Sequence, residues 1–202
     1  MDVLFVNPGN ANEIYQNLSS NYSAIEPPTW ALLLAQSVRA VGFTPGILDV
    51  NAERLSLSAA TEKAGRLRPR LICLVIYGQN PNSGTVNMSG AMKLADALKE
   101  IDFDVPVCAV GSHVSALPKE VLDTEPSVDF VLCNEGVYAL RNLLESDFEK
   151  KIFPIINLCK RFIFQRWEAY VFGFNEKKRR EERDRNLATS KNLNGNGNTN
   201  SF

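Results

Sequence analysis

The feature that most constrains this chain is the stretch Leu71–Tyr77, Leu-Ile-Cys-Leu-Val-Ile-Tyr, which carries no charge at any position. A strand with one wet face alternates apolar and polar residues, whereas a strand that is apolar throughout must be covered on both faces. Helices laid across a parallel sheet supply that cover. Shorter, largely apolar runs recur at Val3–Asn7, which stops at Pro8-Gly9, and at Pro45–Val50, Val105–Val110 and Val128–Cys133.

The intervening segments have helical spacing. In Trp30–Val41 the residues Trp30, Leu33, Leu34 and Val38 recur at helical intervals, with Thr29 placed to cap the start and Gly42 to end the turn. Further helices are predicted over Leu55–Arg68, around Met88, Met92, Leu94, Ala95 and Leu98, near Lys119–Asp123, and over Val137–Leu144. Five strand-helix units predict an α/β fold. We expect a doubly wound, parallel five-stranded sheet of flavodoxin-like order 2-1-3-4-5, with helices on both faces. Its ligand crevice lies beyond the carboxyl ends of strands one and three. The pattern occupies residues 1–147, and a chain of 202 residues has room for one ordinary domain and a small addition.

Function is therefore sought in the loops that follow the strands. The first runs from Asn7 and Pro8 to about Pro28, long for a βα connection, and reads as a lid or ligand-facing segment. Asp49 and Asn51 end the second strand; there an acidic residue can accept from a ligand hydroxyl, or the pair can simply close the loop. After Tyr77, the stretch Gly78-Gln79-Asn80-Pro81-Asn82-Ser83-Gly84-Thr85 is the densest set of small polar groups. Ser83 and Thr85 can donate to an acceptor-rich ligand or cap the following helix. The fourth loop holds Gly111, Ser112 and His113, the single histidine, and the fifth holds Asn134, Glu135 and Gly136. Gly-x-Gly-x-x-Gly is absent, which disfavours dinucleotide binding, and no nucleophile with a spaced acidic partner is evident.

A formal net charge of −1 provides no basic field for nucleic acid. No uninterrupted apolar stretch reaches the roughly 18 residues of a membrane span, so no transmembrane segment is expected. The opening Met-Asp-Val-Leu-Phe-Val reads as a strand rather than a signal peptide, having no basic segment before it. Cys73, Cys108, Cys133 and Cys159 form no closely spaced metal clip, and the first three sit within apolar runs, where a buried reduced thiol is expected. That reading points to the cytoplasm. No metal ligands or catalytic residues are assigned.

Taken as a set, Val3-Leu4-Phe5-Val6-Asn7-Pro8, Pro27-Pro28-Thr29-Trp30, Ile47–Ala52, Gly111–Pro118 and Val128–Gly136 carry a resemblance. In order and spacing, the chain resembles the N-terminal cobalamin-binding domain of B12-dependent radical S-adenosylmethionine enzymes, a group with methyltransferases and anaerobic cyclases. The loop Gln79–Met88 is similar to that after strand three in some members. The resemblance implies cobalamin as the cofactor, its corrin across the carboxyl edge of the sheet and its nucleotide tail among the loops. The contacts it implies are Asn7, Pro8, Asp49, Asn51, Tyr77, Gly78, Gln79, Ser83, Thr85, Gly111, Ser112, His113, Glu135 and Gly136. Of these, Gly78, Ser83, Thr85, Gly111 and Gly136 are preferred.

Two departures qualify what the resemblance implies. The Asp-x-His-x-x-Gly signature of histidine-ligating domains is absent after strand one, so His113 is not promoted to a cobalt ligand. The family also implies a following radical domain with a three-cysteine loop, but only Cys159 follows residue 147. One thiolate cannot supply three ligands, so no [4Fe-4S] cluster is expected in this chain, which reads as truncated before the radical domain and not catalytic alone. Residues 148–175 form a hydrophobic and basic extension with three readings: an amphipathic helix over 151–174 that packs on the domain or on a protein partner, a membrane-surface contact, or a noncognate end produced by truncation or altered reading of a longer gene. Residues 176–202 have the composition of a disordered tail, opening with ten consecutive charged residues from Glu176 to Arg185. The alternative function is a cofactor-free interaction or regulatory module that contacts its partner through 151–174.

Overall fold

The computed structural model describes residues 1–9, 25, 27–77, 81–101, 104–146, 148 and 171–173. Five parallel strands, β1 (Val3–Asn7), β2 (Pro45–Asp49), β3 (Leu71–Ile76), β4 (Val107–Gly111) and β5 (Phe130–Leu132), stand in the order β2-β1-β3-β4-β5. The helices are α1 (Thr29–Arg39), α2 (Leu57–Leu67), α3 (Pro81–Ile101), α4 (Ser112–Ala116), α5 (Pro118–Thr124) and α6 (Val137–Glu145). This is the flavodoxin-like α/β fold that the apolar runs predict. A sixth strand, β6 (Val171–Gly173), adds antiparallel to β5, with Val131 opposite Phe172. Those three residues belong to the stretch expected to be helical; as a strand they occupy the backbone groups of an edge that would otherwise be open. The remainder of 151–174 lies outside the described residues.

Every residue of β3 is buried, and its side chains divide by parity. Ile72, Leu74 and Ile76 join one core with α2, α3, α4 and α5, while Leu71, Cys73 and Val75 join a second with α1 and α6. Burial of each such side chain contributes roughly 1.5–3 kcal/mol. Cys73 and Cys108 stand in register on β3 and β4 and, like Cys133, are buried free thiols. Burial pushes the Cys108 thiol well above its ordinary range and that of Cys133 up to about 11, so these sulfurs remain protonated packing groups.

α1 departs from expectation in two respects. Its buried face consists of Ala31, Leu34, Ala35 and Val38, whereas Trp30 and Leu33, counted on the packing face by spacing, are 37% and 55% exposed. Small alanines bring the helix close to the sheet and turn the larger residues outward. Thr29 lies within the helix, not before it; Pro28 holds the cap position and no side chain caps the end. At its other end Gly42 takes a left-handed conformation and its N–H donates to the Arg39 carbonyl. Arg141 of α6 clasps α1 by donating from Nε and Nη2 to the Ser37 carbonyl at 3.1 and 2.8 Å.

The amino edge of the sheet is fixed by a buried ion pair. Lys99, near the end of α3, donates through Nζ to Asp129 Oδ2 at 2.8 Å and to the Val105 carbonyl, and the Val107 N–H reaches the same carboxylate at 2.8 Å. Both charged side chains are almost fully buried. Removing one partner of such a pair strands the other charge. Asp129→Ala is therefore expected to cost about 3–5 kcal/mol in urea denaturation, and adding Lys99→Met to it should recover part of that loss.

Candidate functional site

All five parallel strands point their carboxyl ends at one edge, so the loops that follow them meet there. Side-chain alternation sorts this edge into two faces. Leu48 and Val50 pack in the core beneath α2 and α3, so Asp49 between them faces the α1 side; the same parity applies to Asn7 after Val6, and Tyr77 packs on that side too. Asp49, Asn7 and Tyr77 thus stand at the ends of three neighbouring strands, on one face, around the point where the chain order reverses.

Asn7 Nδ2 donates to Asp49 Oδ1 at 3.0 Å across β1 and β2. The same oxygen accepts from the Ala52 N–H at 3.0 Å and so closes the turn after β2. Of the two roles the sequence allowed Asp49, loop closure is visible on Oδ1, while Oδ2 is buried without a hydrogen-bond partner among the described residues. Pro8 is buried and Asn51 is half-buried. Gly9 lies so close to this turn that an added Cβ would sit 3.2 Å from the Asn51 nitrogen.

On β3 and β5 the edge is fixed through Asn134. Its backbone is left-handed, a conformation asparagine tolerates. Its carbonyl accepts the Tyr77 hydroxyl at 2.5 Å, and its N–H donates to Ser115 Oγ at 2.9 Å. Tyr77 stacks on Trp30, ring centroids 4.4 Å apart and planes 20° from parallel, which leaves a partly exposed aromatic surface beside the polar strand ends. On the opposite face, Thr85 Oγ1 and His113 Nδ1 are 3.1 Å apart, joining α3 to α4. Asn87 Nδ2 donates to the Tyr77 carbonyl at 3.3 Å. Glu135 is exposed at the rim, and its charge adds to burial in raising the Tyr77 phenol.

At Gly111 and Gly136, two of the glycines expected to give a ligand access, and at neighbouring Gly84, the space of a Cβ is taken up by protein. A Cβ on Gly111 would overlap the Ile76 carbonyl, and one on Gly84 would overlap Ser112 Oγ. Gly136, left-handed at the start of α6, has Val110 Cγ2 2.9 Å from the Cβ position. Their smallness serves the close approach of neighbouring loops and strands. Ser83 and Thr85 fall inside α3, not at a cap before it. Gly78 and Gln79 lie outside the described residues. Trp30, Asn87, Ser115 and Asn134 are edge residues not counted among the contacts expected from the sequence. Among the described residues no three His, Cys, Asp or Glu side chains cluster in a way that could hold a metal ion. No described helix is long and apolar enough to cross a membrane.

The fold and this edge define a doubly wound α/β domain of the class whose ligand crevice lies beyond the carboxyl ends of its strands. A family model described as "B12 binding domain" matches residues 18–144, well over half of the chain. The chain belongs to the B12 binding domain family, which implies cobalamin as its cofactor. It is 27% identical over 146 residues to the anaerobic magnesium-protoporphyrin IX monomethyl ester cyclase of Rubrivivax gelatinosus, covering 71% of this chain and 24% of that one. Two structures of the radical S-adenosylmethionine methyltransferase TsrM from Kitasatospora setae superpose with TM-scores of 0.54. One holds tryptophan and a SAM analogue, at 18% identity over 72% of this chain and 25% of that chain; the other holds cobalamin and a [4Fe-4S] cluster, at 16% identity over 73% and 25%. This degree of likeness shows a shared fold. The chain spans about a quarter of the length of these relatives.

The residues present fit a corrinoid. Its periphery carries neutral amides and its nucleotide tail carries hydroxyls, and the edge offers the matching set: an orphaned buried carboxylate oxygen, a row of uncharged donors and acceptors, and an exposed aromatic face.

The phenol that holds this edge titrates late. Burial, and then the Glu135 charge, raise Tyr77 from 10.0 to about 12. A group whose proton is held more tightly in the folded state contributes stability in full below its unfolded pKa and loses it as pH rises through the folded value. Urea midpoints of the wild type should therefore fall as pH rises from about 10 to 12, and Tyr77→Phe should fall less steeply over the same window. Equal slopes would contradict the assignment.

Proposed function

We propose that this chain is a corrinoid-binding module that seats cobalamin across the carboxyl edge of its sheet and presents it to a reaction partner. The observation that carries this reading is the B12 binding domain match over residues 18–144, laid on a sheet whose parallel strands end in one hydrogen-bonded rim. In the proposal the binding groups are Asn7, Pro8, Asp49 and Asn51 at β1 and β2, with Tyr77, Gly78, Gln79, Ser83 and Thr85 at β3 and α3. Gly111, Ser112, His113, Glu135 and Gly136 complete the rim, the glycines through their backbone. Trp30 and Tyr77 add an aromatic surface that excludes water from one side.

Bound cobalamin supplies a cobalt centre able to carry a methyl group. The residues of this chain bind and orient it. His113, held by Thr85, is assigned a hydrogen-bonding role. The relatives named above include a methyltransferase and a cyclase, and this chain spans about a quarter of their length. We place the domain in the same kind of chemistry, with cluster and radical generation supplied by other protein segments.

Titration of the chain with hydroxocobalamin, followed by the corrin absorption bands and by binding heat, should show saturable one-site binding. His113→Ala and Thr85→Val remove the same bonded pair and should each weaken it by a similar factor, roughly 2- to 12-fold, the worth of one ordinary hydrogen bond. Absence of saturable binding by the wild-type chain would overturn the proposal.

A further inference from the structure

Asp49 is 9% exposed, and its two carboxylate oxygens are in unlike states. Oδ1 takes two donors, the Asn7 amide and the Ala52 N–H; Oδ2 is buried and takes none among the described residues. No ion pair to Asp49 is present among the described residues either. A buried acceptor left without a donor is costly, the more so when it carries charge, and such groups in folded proteins are almost always satisfied by something. The other buried orphan, Ser37 Oγ, sits on α1 away from the strand ends and is a neutral hydroxyl. Of the two, only Asp49 is a buried carboxylate at a carboxyl strand end, on β2 beside Asn7 of β1.

We infer that Asp49 Oδ2 is the acceptor for an uncharged O–H or N–H donor of the bound corrinoid, which makes Asp49 the residue that reads the ligand's polar periphery. The assignment rests on the corrinoid reading above. Asn7 and Ala52 hold Oδ1 and so fix the carboxylate plane before the ligand arrives. A corrinoid has two sources for such a donor: the ribose hydroxyls of its nucleotide tail and the amides at the rim of the macrocycle.

Asp49→Asn separates the two oxygens. The amide keeps Oδ1 as an acceptor for Asn7 and Ala52 and sets an N–H donor where Oδ2 stood, so a ligand donor there meets another donor. The wild-type and variant chains are titrated with hydroxocobalamin and with cobinamide, which lacks the nucleotide tail, and the thermal midpoint of each ligand-free protein is recorded. The variant is expected to bind cobalamin about 10- to 100-fold more weakly, the worth of a hydrogen bond to a charged group, with an unchanged ligand-free midpoint. A loss confined to cobalamin assigns the donor to the nucleotide tail, and an equal loss with cobinamide assigns it to a corrin amide; both support the inference. Unchanged affinities in the variant overturn it, as does a lowered midpoint with affinity unchanged, which would place a protein donor on Oδ2. A wild-type chain that binds neither corrinoid overturns the corrinoid reading itself. If Asp49→Asn does not fold, Asp49→Ser retains a short acceptor for Ala52, lacks the second oxygen, and is read against the same outcomes.

Discussion

The structure depends on the two-sided burial of β3. Leu71 to Ile76 present three side chains to each of two separate cores, and neither core can form without a helix layer above it. That requirement forces crossover connections, and these make the five central strands parallel. Parallel strands in turn put every carboxyl end on one edge. The polar residues that β3 and its neighbours cannot accommodate therefore collect in the loops of that edge.

The two edges are built from different interactions. At the amino edge, charge does the holding: the Lys99–Asp129 pair is buried, and Asp2 accepts the Thr44 N–H at 2.7 Å and Arg70 Nη1 at 3.0 Å. The Thr44 bond, with Arg70 behind it, keeps the Asp2 carboxyl below the usual carboxylate range. Surface pairs of the Asp2–Arg70 kind contribute about 0–1 kcal/mol, so breaking the buried pair is the more damaging of the two. At the carboxyl edge the ties are mostly uncharged: Thr85 to His113, Tyr77 and Ser115 to Asn134. A large neutral ligand can lie on such a rim without stripping water from strong charges. The buried ion pair is at the other end of the sheet.

What the sequence disclosed followed from how strongly each signal depends on local pattern. The strands were legible because two-sided burial leaves no polar position, as in Leu71–Ile76. Helix positions were legible from spacing, but the inward face of α1 was not. Ala31 and Ala35 carry weaker hydrophobic signals than Trp30 and Leu33, yet only alanine permits the close helix-to-sheet approach, so magnitude pointed to the wrong stripe. β6 is three residues long and takes its identity from β5, which no local pattern in 151–174 encodes. At the site, residue types were readable and partners were not. Asn7 and Asp49 are 42 residues apart in sequence, and their bond exists only because β1 and β2 pair in register. For Gly84, Gly111 and Gly136 the sequence announced that space was needed, and only the packing shows that Ser112, Ile76 and Val110 fill it.

That filling has a consequence for recognition. With glycines packed against neighbours and Asn134 gripped at both its carbonyl and its N–H, the described β3–β5 rim residues are held in place by protein contacts, so a ligand bound against them would incur little ordering entropy. The hydrogen bonds among these groups hold them in place relative to one another. The β2–β1 part is equally fixed in position, through Asn7, Ala52 and the turn they hold, but is chemically incomplete at one oxygen. In the corrinoid reading, the Thr85–His113 pair and the fixed shape around Asn134 would serve recognition on one half of the edge, and the open Asp49 oxygen on the other.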